Sequence, residues 1–239
     1  MTSLTVALDT LRIRRILVYS VYMTDPKPNA TSSKILSAAR RLLSKNGSDS
    51  ITMRRVAQAV GITPMAIYRH FPDRDALLNS LANEGFADLT SRLSRDGSST
   101  RNGTRPSNAH APRNRIKESL ESRLTHLTAI YLDHALAHPR LFELMFLKPR
   151  AGARRFPRDF TAGQSPTANL MVQAIRDAIA AKQFPGTPES EIWEVVFDMG
   201  ALSHGLIMLY LGGRVAASPS RFRALYQRAF RRYLRGLRR

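Results

Sequence analysis

The 239-residue chain contains no cysteine and a single tryptophan, and it has only 18 acidic residues against 37 Lys and Arg. The absence of cysteine excludes disulfide scaffolds, thiolate metal sites and cysteine nucleophiles. The shortage of acidic residues leaves a formal net charge of +19, which points to a polyanionic partner, either nucleic acid or an anionic membrane face. With 43% hydrophobic and 23% charged residues, the composition is that of a globular chain rather than a disordered one.

The excess positive charge is unevenly distributed along the chain. Residues 91–117 hold seven basic residues and one acidic residue, and residues 213–239 hold nine Arg and no acid. Residues 23–90, by contrast, hold nine basic and six acidic residues. A high net charge alone is therefore poor evidence for DNA binding, and the case for it depends on a motif.

The first 28 residues do not match a membrane or export signal. Only about eight apolar residues follow Arg15, fewer than the roughly 20 that a membrane-spanning helix needs. No small-residue cleavage site precedes Asp25. We expect residues 1–28 to be a disordered or dispensable tail, with Met23 as the true start, and we predict no membrane partner. A helix lying on a membrane surface is the alternative.

From Thr31 onward the hydrophobic periodicity is helical, and no alternating strand pattern is present. Side chains that can cap a helix begin four predicted helices, at Ser32 or Ser33, Thr52, Thr63 and Asp73. Residues 90–113, rich in Ser, Asn, Gly, Thr and Arg, predict a flexible linker. Further helices are predicted near residues 114–137, 139–148, 166–182, 189–212 and 219–237. The pattern indicates an all-α protein.

Residues 52–71 have the pattern of a helix-turn-helix. Such a motif needs a small residue where two helices cross, which Ala57 provides, and a turn residue that tolerates positive φ, which Gly61 provides. Apolar anchors on either side are Val56, Val60, Ile62, Ile67 and Phe71. The side chains left facing outward, able to enter a DNA major groove, are Thr63, Met65, Ala66, Tyr68, Arg69 and His70.

Residues 31–89 resemble the DNA-binding domain of the TetR/AcrR family of transcriptional regulators. The matching segments, at fixed spacings, are Ile35-Leu36-Ser37-Ala38-Ala39, Ile51-Thr52-Met53-Arg54-Arg55-Val56-Ala57, residues 61–71 and Asp73-Arg74-Asp75-Ala76-Leu77-Leu78. The resemblance implies a three-helix helix-turn-helix domain over residues 29–89. A C-terminal helical domain for ligand binding and dimerisation, over residues 114–239, is implied to follow the linker.

The resemblance also implies roles for individual residues. Thr52 and Arg54 are expected to contact phosphates and the groove at the start of the first motif helix. The start of the recognition helix, which faces the bases, is formed by Thr63, Pro64, Met65 and Ala66. Phosphate contacts are expected from Tyr68, His70 and Arg74, the last in place of the usual Lys. For His70, capping or packing is the alternative, and for Arg55 a DNA contact and a solvated side chain are equally plausible.

The C-terminal half resembles the regulatory domain of one subgroup of this family. The resemblance rests on residues 137–146 and on Ser203-His204-Gly205, although the subgroup's Trp shortly before His-Gly is absent and the sole Trp is Trp193. It implies a homodimer formed through the last two long helices and a small-molecule effector. For most of the candidate effector-lining residues ordinary core packing is the favoured interpretation. The candidates are Tyr131, Phe142, Met145, Phe146, Trp193, Phe197, His204 and Met208.

Signals for catalysis, cofactors and metals are weak. His134 and His138 have the i, i+4 spacing that can chelate a metal on one helix face, and His126 lies two turns earlier. Residue 135 is Ala, so the metalloprotease pattern is absent. A surface or packed histidine pair is the favoured interpretation, and we predict no metal, no cofactor and no enzymatic activity. Hydrolase elbows and phosphate-binding glycine loops are also missing from the sequence.

The predicted function is that of a cytoplasmic, homodimeric transcriptional regulator, usually a repressor, which binds double-stranded operator DNA and is released by a small-molecule ligand. Two recognition helices would read a palindrome in successive major grooves about 34–36 Å apart. The alternative is a basic architectural protein that coats DNA without regard to sequence. A helical enzyme is a distant third, because no nucleophile or acid–base pair supports it.

Overall fold

The computed structural model describes residues 30–99, 119–150, 152–185 and 187–237. Within these ranges the regular structure is entirely helical, so the all-α prediction is confirmed. The chain divides into two compact units between Leu77 and Leu78, earlier than the predicted domain boundary at residue 89. The predicted tail, residues 1–28, and residues 100–113 of the predicted linker lie outside the described residues.

In its described residues, from Ala30 on, the first unit has three helices, a 3₁₀ turn and the start of a fourth helix. They are α1 (Ala30–Asn46), the 3₁₀ turn (Ser48–Ser50), α2 (Met53–Val60), α3 (Pro64–Tyr68) and α4 (Arg74–Ser99). Their inward faces bury, among others, Ile35, Leu43, Ile51, Val56, Ile67 and Phe71. This apolar centre fixes the directions in which the short helices α2 and α3 leave the turn between them.

Three of the predicted helix caps are confirmed. The side chains of Thr52, Thr63 and Asp73 each accept a hydrogen bond from the backbone N–H three residues further on, at 3.2, 3.2 and 2.7 Å. The cap predicted at Ser32 or Ser33 is wrong, because α1 already begins at Ala30 and both serines lie inside the helix.

Helix α4 is longer than the sequence pattern predicts. It runs to Ser99, so the prediction of a flexible linker from residue 90 is wrong for residues 90–99. Leu89 and Leu93 are both buried, and Arg92 forms an i, i+4 ion pair with Asp88 at 3.0 Å. Burial of one helix face and this pair favour helix over the loop that the Ser- and Gly-rich composition indicates.

Over the part of the second unit that the structure describes, α4 continues and six further helices follow. They are α5 (Leu120–Ala137), α6 (Pro139–Phe146), α7 (Arg158–Thr161), α8 (Pro166–Ala180), α9 (Glu189–Leu211) and α10 (Pro219–Gly236). Helix α5 packs against α6, α8, α9 and α10. An ion pair between Arg123 and Asp177, 3.0 Å apart, joins α5 to α8. Helix α5 is thus the central element of this unit.

Helices α9 and α10 pack through aromatic side chains. The rings of Tyr210 and Phe222 stack with their centroids 4.0 Å apart. Ser203, which precedes His204, is buried and hydrogen-bonded to the hydroxyl of the fully buried Tyr226. A buried Tyr hydroxyl needs such a partner, and Ser203 provides it.

Helix α9 has an apolar surface that the second unit only partly covers. Within the described residues it is the single helix whose length and composition would allow it to cross a membrane, and only 33% of that stretch is buried. Helices in a soluble core have the same composition, and α9 carries Glu189, Glu191, Glu194 and Asp198 in its first half. Leu209 and Leu211 near its end are exposed.

Candidate functional site

The turn between α2 and α3 adopts the geometry that the sequence predicts. Gly61 ends α2 with φ 77° and ψ 30°, a left-handed conformation that favours glycine. Its N–H donates to the carbonyl of Ala57 at 3.0 Å. Thr63 then caps α3, and Pro64 occupies the first helical position, where its missing N–H costs nothing.

Helix α3 has a buried side and an exposed side. Ile67 and the following Phe71 are buried in the first unit, whereas Met65 is 72% and Tyr68 48% exposed. Among the other predicted outward residues, Ala66 and His70 are half-buried and the exposed ones are Thr63, Pro64 and Arg69. The structure therefore brings the predicted recognition residues together on one accessible face.

The start of α2 presents two further predicted contact residues. Thr52 and Arg54 are both exposed. The neighbouring Arg55 is also exposed, and its guanidinium donates to the carbonyl of Ser50 at 3.2 Å. That bond holds Arg55 against its own unit, which favours a local structural role for it.

His70 is held by a side chain from α1. Its Nδ1 lies 3.0 Å from the hydroxyl oxygen of Ser32, a hydrogen-bonding distance. This bond fixes the imidazole beside the exposed end of α3. A single hydrogen bond to Nδ1 leaves the other ring nitrogen, Nε2, available in principle to a phosphate oxygen.

Arg74 has a different environment from the one that the family resemblance implies. Its Nε donates to the carbonyl of Ile51 at 2.8 Å and its Nη2 to the carbonyl of Ser48 at 2.9 Å. The guanidinium therefore joins the start of α4 to the ends of the 3₁₀ turn. Two of the five guanidinium N–H groups thus brace the first unit, and a phosphate contact through the other three stays a prediction.

The first unit is basic over its described residues. Residues 30–77 contain eight Lys and Arg and three Asp. Charges on exposed side chains at this density attract a polyanion without selecting a sequence. Selection would have to come from the uncharged and polar side chains of α3.

A cluster of rings in the second unit contains four of the eight predicted effector-lining residues. The rings of Tyr131, Phe142, Phe146 and His204 lie with centroids 4.6–5.8 Å apart. Phe86 of α4 joins them, 5.2 Å from Phe146. The sequence analysis missed Phe86 because it assigned residue 86 to the first domain, and no local pattern distinguishes it.

Hydrogen bonds determine which atoms carry protons in His204 and Tyr131, the two polar side chains of this aromatic cluster. Nδ1 of His204 lies 2.7 Å from the carbonyl oxygen of Gly200, which can only accept, so Nδ1 carries the proton. Nε2 then accepts a hydrogen bond from the Tyr131 hydroxyl at 2.8 Å. Burial lowers the pKa of His204 and raises the pKa of Tyr131, so both side chains are neutral at pH 7.

The other predicted lining residues are more scattered. Met145 is buried beside Gly85, where its Sδ occupies the space that a Cβ would need. Trp193 is buried and Met208 is half-buried. Phe197 is 44% exposed and its ring stacks on that of Phe156, with the centroids 4.3 Å apart. None of these four has a ring or hydrogen-bond contact with the aromatic cluster among the described interactions.

Two family models match the chain and together cover both units. Residues 35–81 match the model described as bacterial regulatory proteins, tetR family, and residues 124–233 match a tetracyclin repressor-like C-terminal domain. The chain belongs to the TetR family of transcriptional regulators. Proteins of this family are regulators, not enzymes.

Individual relatives support the same assignment. The chain is 41% identical over 68 residues to the HTH-type transcriptional repressor Rv1474c of Mycobacterium tuberculosis, which is 28% of this chain and 36% of that protein. It is 27% identical over 149 residues to the transcriptional regulator Rv1816 of the same organism, covering 62% and 56%. The chain thus aligns with about a third to just over half of these relatives' lengths.

A solved structure matches nearly the whole chain. The structure of a protein of unknown function from Rhodococcus sp. RHA1 is 27% identical and superposes with a TM-score of 0.65, covering 90% of this chain and all of that one. One family model lies mainly in the first unit and the other in the second, so the TetR-type fold comprises both units.

Proposed function

We propose that this chain is a homodimeric TetR-family regulator that binds operator DNA through the exposed face of α3. The observation that carries the proposal is the division of α3 into a buried side at Ile67 and an accessible side at Met65 and Tyr68. Helices of this kind insert their exposed side into the major groove. The relative Rv1474c is named a repressor, which favours repression as the sign of regulation and the bacterial cytoplasm as the location.

The exposure of these side chains supports a specific set of contacts as part of the proposal. Thr63, Pro64, Met65 and Ala66, at the start of α3, are assigned to base edges. Phosphate contacts are assigned to Thr52, Arg54, Tyr68, Arg69 and the free ring nitrogen of His70. Arg74 is assigned a positioning role, because its guanidinium already donates to two backbone carbonyls.

The dimer is assigned to α9 and α10. Helix α9 is apolar along most of its length but only partly buried within its own unit. Its exposed Leu209 and Leu211 are residues that a second copy would cover at a four-helix interface. Two-fold symmetry would place two α3 helices on a palindromic site.

The effector is assigned to the aromatic cluster around Tyr131 and His204. Because Tyr131 donates its only proton to His204, its oxygen can offer only lone pairs to a ligand. A largely apolar compound with one hydrogen-bond donor fits that chemistry. To move the protein from nearly all bound to nearly all free, the effector must favour the released state by about 5.5 kcal/mol.

Selection from a random duplex library tests the proposal directly. The regulator should enrich a palindrome and bind it at least about 10³-fold more tightly than a scrambled duplex at equal salt. Each subunit has two arginines assigned to phosphates, Arg54 and Arg69, so a dimer makes four cationic contacts and log affinity should fall with log salt at a slope of about −3.6. Enrichment of no sequence, with the same salt slope on every duplex, would instead establish the non-specific architectural alternative.

A further inference from the structure

Three side chains with metal-ligating atoms meet where α4 approaches the junction of α5 and α6. Asp88 lies on α4, His134 lies near the end of α5, and His138 joins α5 to α6. One donor atom from each of the three, a carboxylate oxygen and two ring nitrogens, lies within 4.8 Å of the others. All three residues belong to the second unit.

Two of the three ligands are close together in the sequence, and the fold brings the third to them. His134 and His138 are four residues apart, a spacing that places both side chains on one face at the helix end. Their ring centroids are 5.3 Å apart. Asp88 precedes them by more than forty residues, so no local motif contains the complete set. The fold brings the Asp88 carboxylate to the histidine pair as a third ligand.

The distances approach those of a tetrahedral site. Two atoms that each lie about 2.1 Å from a tetrahedral metal are about 3.4 Å apart. Nδ1 of His134 and Oδ2 of Asp88 are 3.6 Å apart. Closing the widest separation, at most 4.8 Å, requires a side-chain movement of only about 1–1.5 Å.

The surroundings hold two of the ligands in place. His134 is fully buried, so its ring has little conformational freedom to lose when it binds an ion. Oδ2 of Asp88 accepts a hydrogen bond from Nε of Arg92 at 3.0 Å. Hydrogen bonds of this kind orient a ligating carboxylate, and Oδ2 keeps a second lone pair with which it can bind the metal.

We propose that Asp88, His134 and His138 bind one divalent first-row transition-metal ion, for which Zn²⁺ is the best match. Two imidazoles and one carboxylate suit Zn²⁺ and the neighbouring metals rather than Ca²⁺ or Mg²⁺, which prefer oxygen ligands alone. Three protein ligands leave the fourth position to a water molecule. The site is separate from the residues assigned to DNA and to the effector. It would tie α4 to the α5–α6 junction.

The test uses the full-length, untagged chain with Zn²⁺ and with Co²⁺ as a spectroscopic probe. Equilibrium dialysis should find one ion per chain, and Co²⁺ should give the visible absorption of a nitrogen- and oxygen-ligated site. Asp88→Asn and His138→Gln should each weaken binding by at least about ten-fold, the smallest loss that changes around a metal site commonly cause. The matched control is His126→Gln, an exposed histidine two turns before His134 on α5, which should bind like the wild type.

Melting temperatures separate loss of the site from loss of the fold. Zn²⁺ should raise the melting temperature of the wild type and of His126→Gln, because an ion that binds only the folded state stabilises it. It should not raise that of His138→Gln. If His138→Gln fails to fold, Asp88→Asn decides the matter, since it alters a partly exposed side chain without changing its shape. Absence of Zn²⁺ uptake by the folded wild type, or equal uptake by the two site variants and the control, overturns the proposal.

Discussion

Arg74 stands at a position where the family has a basic residue, but its side chain contacts backbone carbonyls of its own unit. The family resemblance implies a phosphate contact, but the side chain spans the gap to the carbonyls of Ser48 and Ile51. Sequence alone cannot distinguish the two roles, because both need a long cationic side chain at this position. The choice depends on where the preceding 3₁₀ turn places its carbonyl groups.

Replacement of Arg74 should therefore act mainly on the free energy of unfolding. Its effect on the electrostatic attraction to DNA should be small. We expect Arg74→Ala to lower the free energy of unfolding by about 1–3 kcal/mol, because the Ile51 carbonyl loses its Arg74 donor and the Ser48 carbonyl keeps only the Ile51 N–H. Arg74→Lys should recover only part of the loss, since an ammonium group lacks the planar fork of the guanidinium. The measurement is urea unfolding of each variant.

The exposed Arg69 on the same unit provides the control for Arg74. Arg69→Ala should change the free energy of unfolding by less than about 0.5 kcal/mol, as for most surface substitutions. Equal stability of Arg69→Ala and Arg74→Ala would contradict the bracing role.

His204 is the residue whose protonation should affect the stability of the second unit. Its pKa in the folded state is lowered by burial, below the unfolded value of about 6.5. The neutral ring therefore contributes stability that is fully present above pH 6.5 and is lost as the pH falls through the folded-state pKa. We expect the melting temperature to fall less between pH 7.5 and 5.5 in His204→Gln than in the wild type. The control, His126→Gln, changes an exposed histidine and should follow the wild-type curve.

At the scale of the elements, the sequence predicts most helices well because caps and hydrophobic spacing agree. Thr52, Thr63 and Asp73 begin their helices through the predicted side-chain bonds. The end of α4 is not predictable in this way, since the Ser- and Gly-rich composition favours a loop while burial of Leu93 favours helix. Tertiary packing decides such cases, and packing is not visible in a local window.

Substitutions of Gly61 test the backbone conformation of the turn between α2 and α3. The φ of 77° at Gly61 favours glycine, and a Cβ there would meet no atom within 4 Å. Any loss of stability on substitution would therefore come from the strained backbone conformation and not from a steric clash. Gly61→Ala should lower the free energy of unfolding by about 1–2 kcal/mol. Gly61→Asn should cost less, because Asn tolerates the left-handed region. A stability of Gly61→Ala equal to that of the wild type would contradict the assigned turn geometry.

At the scale of the whole molecule, the sequence predicts the two-part organisation but not the sites that long-range contacts assemble. The recognition face lies within one short segment, 63–70, and the helix-turn-helix pattern identifies it. The aromatic cluster needs Phe86, and the proposed metal site needs Asp88, both from α4. Neither residue has a local signal, because its partners are forty or more residues away along the chain.

The proposed dimer should be sensitive to charge on α9. We expect Leu209→Glu to weaken self-association by at least about thirty-fold, since an unpaired charge in an interface costs about 2 kcal/mol or more. Leu147→Glu is the matched control, because Leu147 is 42% exposed against 47% for Leu209 and lies outside α9 and α10. Sedimentation equilibrium measures both. Unchanged dimerisation in Leu209→Glu would place the interface elsewhere.

The most direct test of the whole account is the operator affinity of Met65→Glu, measured by fluorescence anisotropy on the palindrome selected with the wild type. Met65 is 72% exposed on α3, so the change should leave the fold intact while placing a negative charge against DNA. We predict an affinity loss of at least about 100-fold, equivalent to about 2.7 kcal/mol, and wild-type affinity for the control Leu147→Glu. Wild-type affinity of a folded Met65→Glu would contradict the claim that α3 enters the DNA groove.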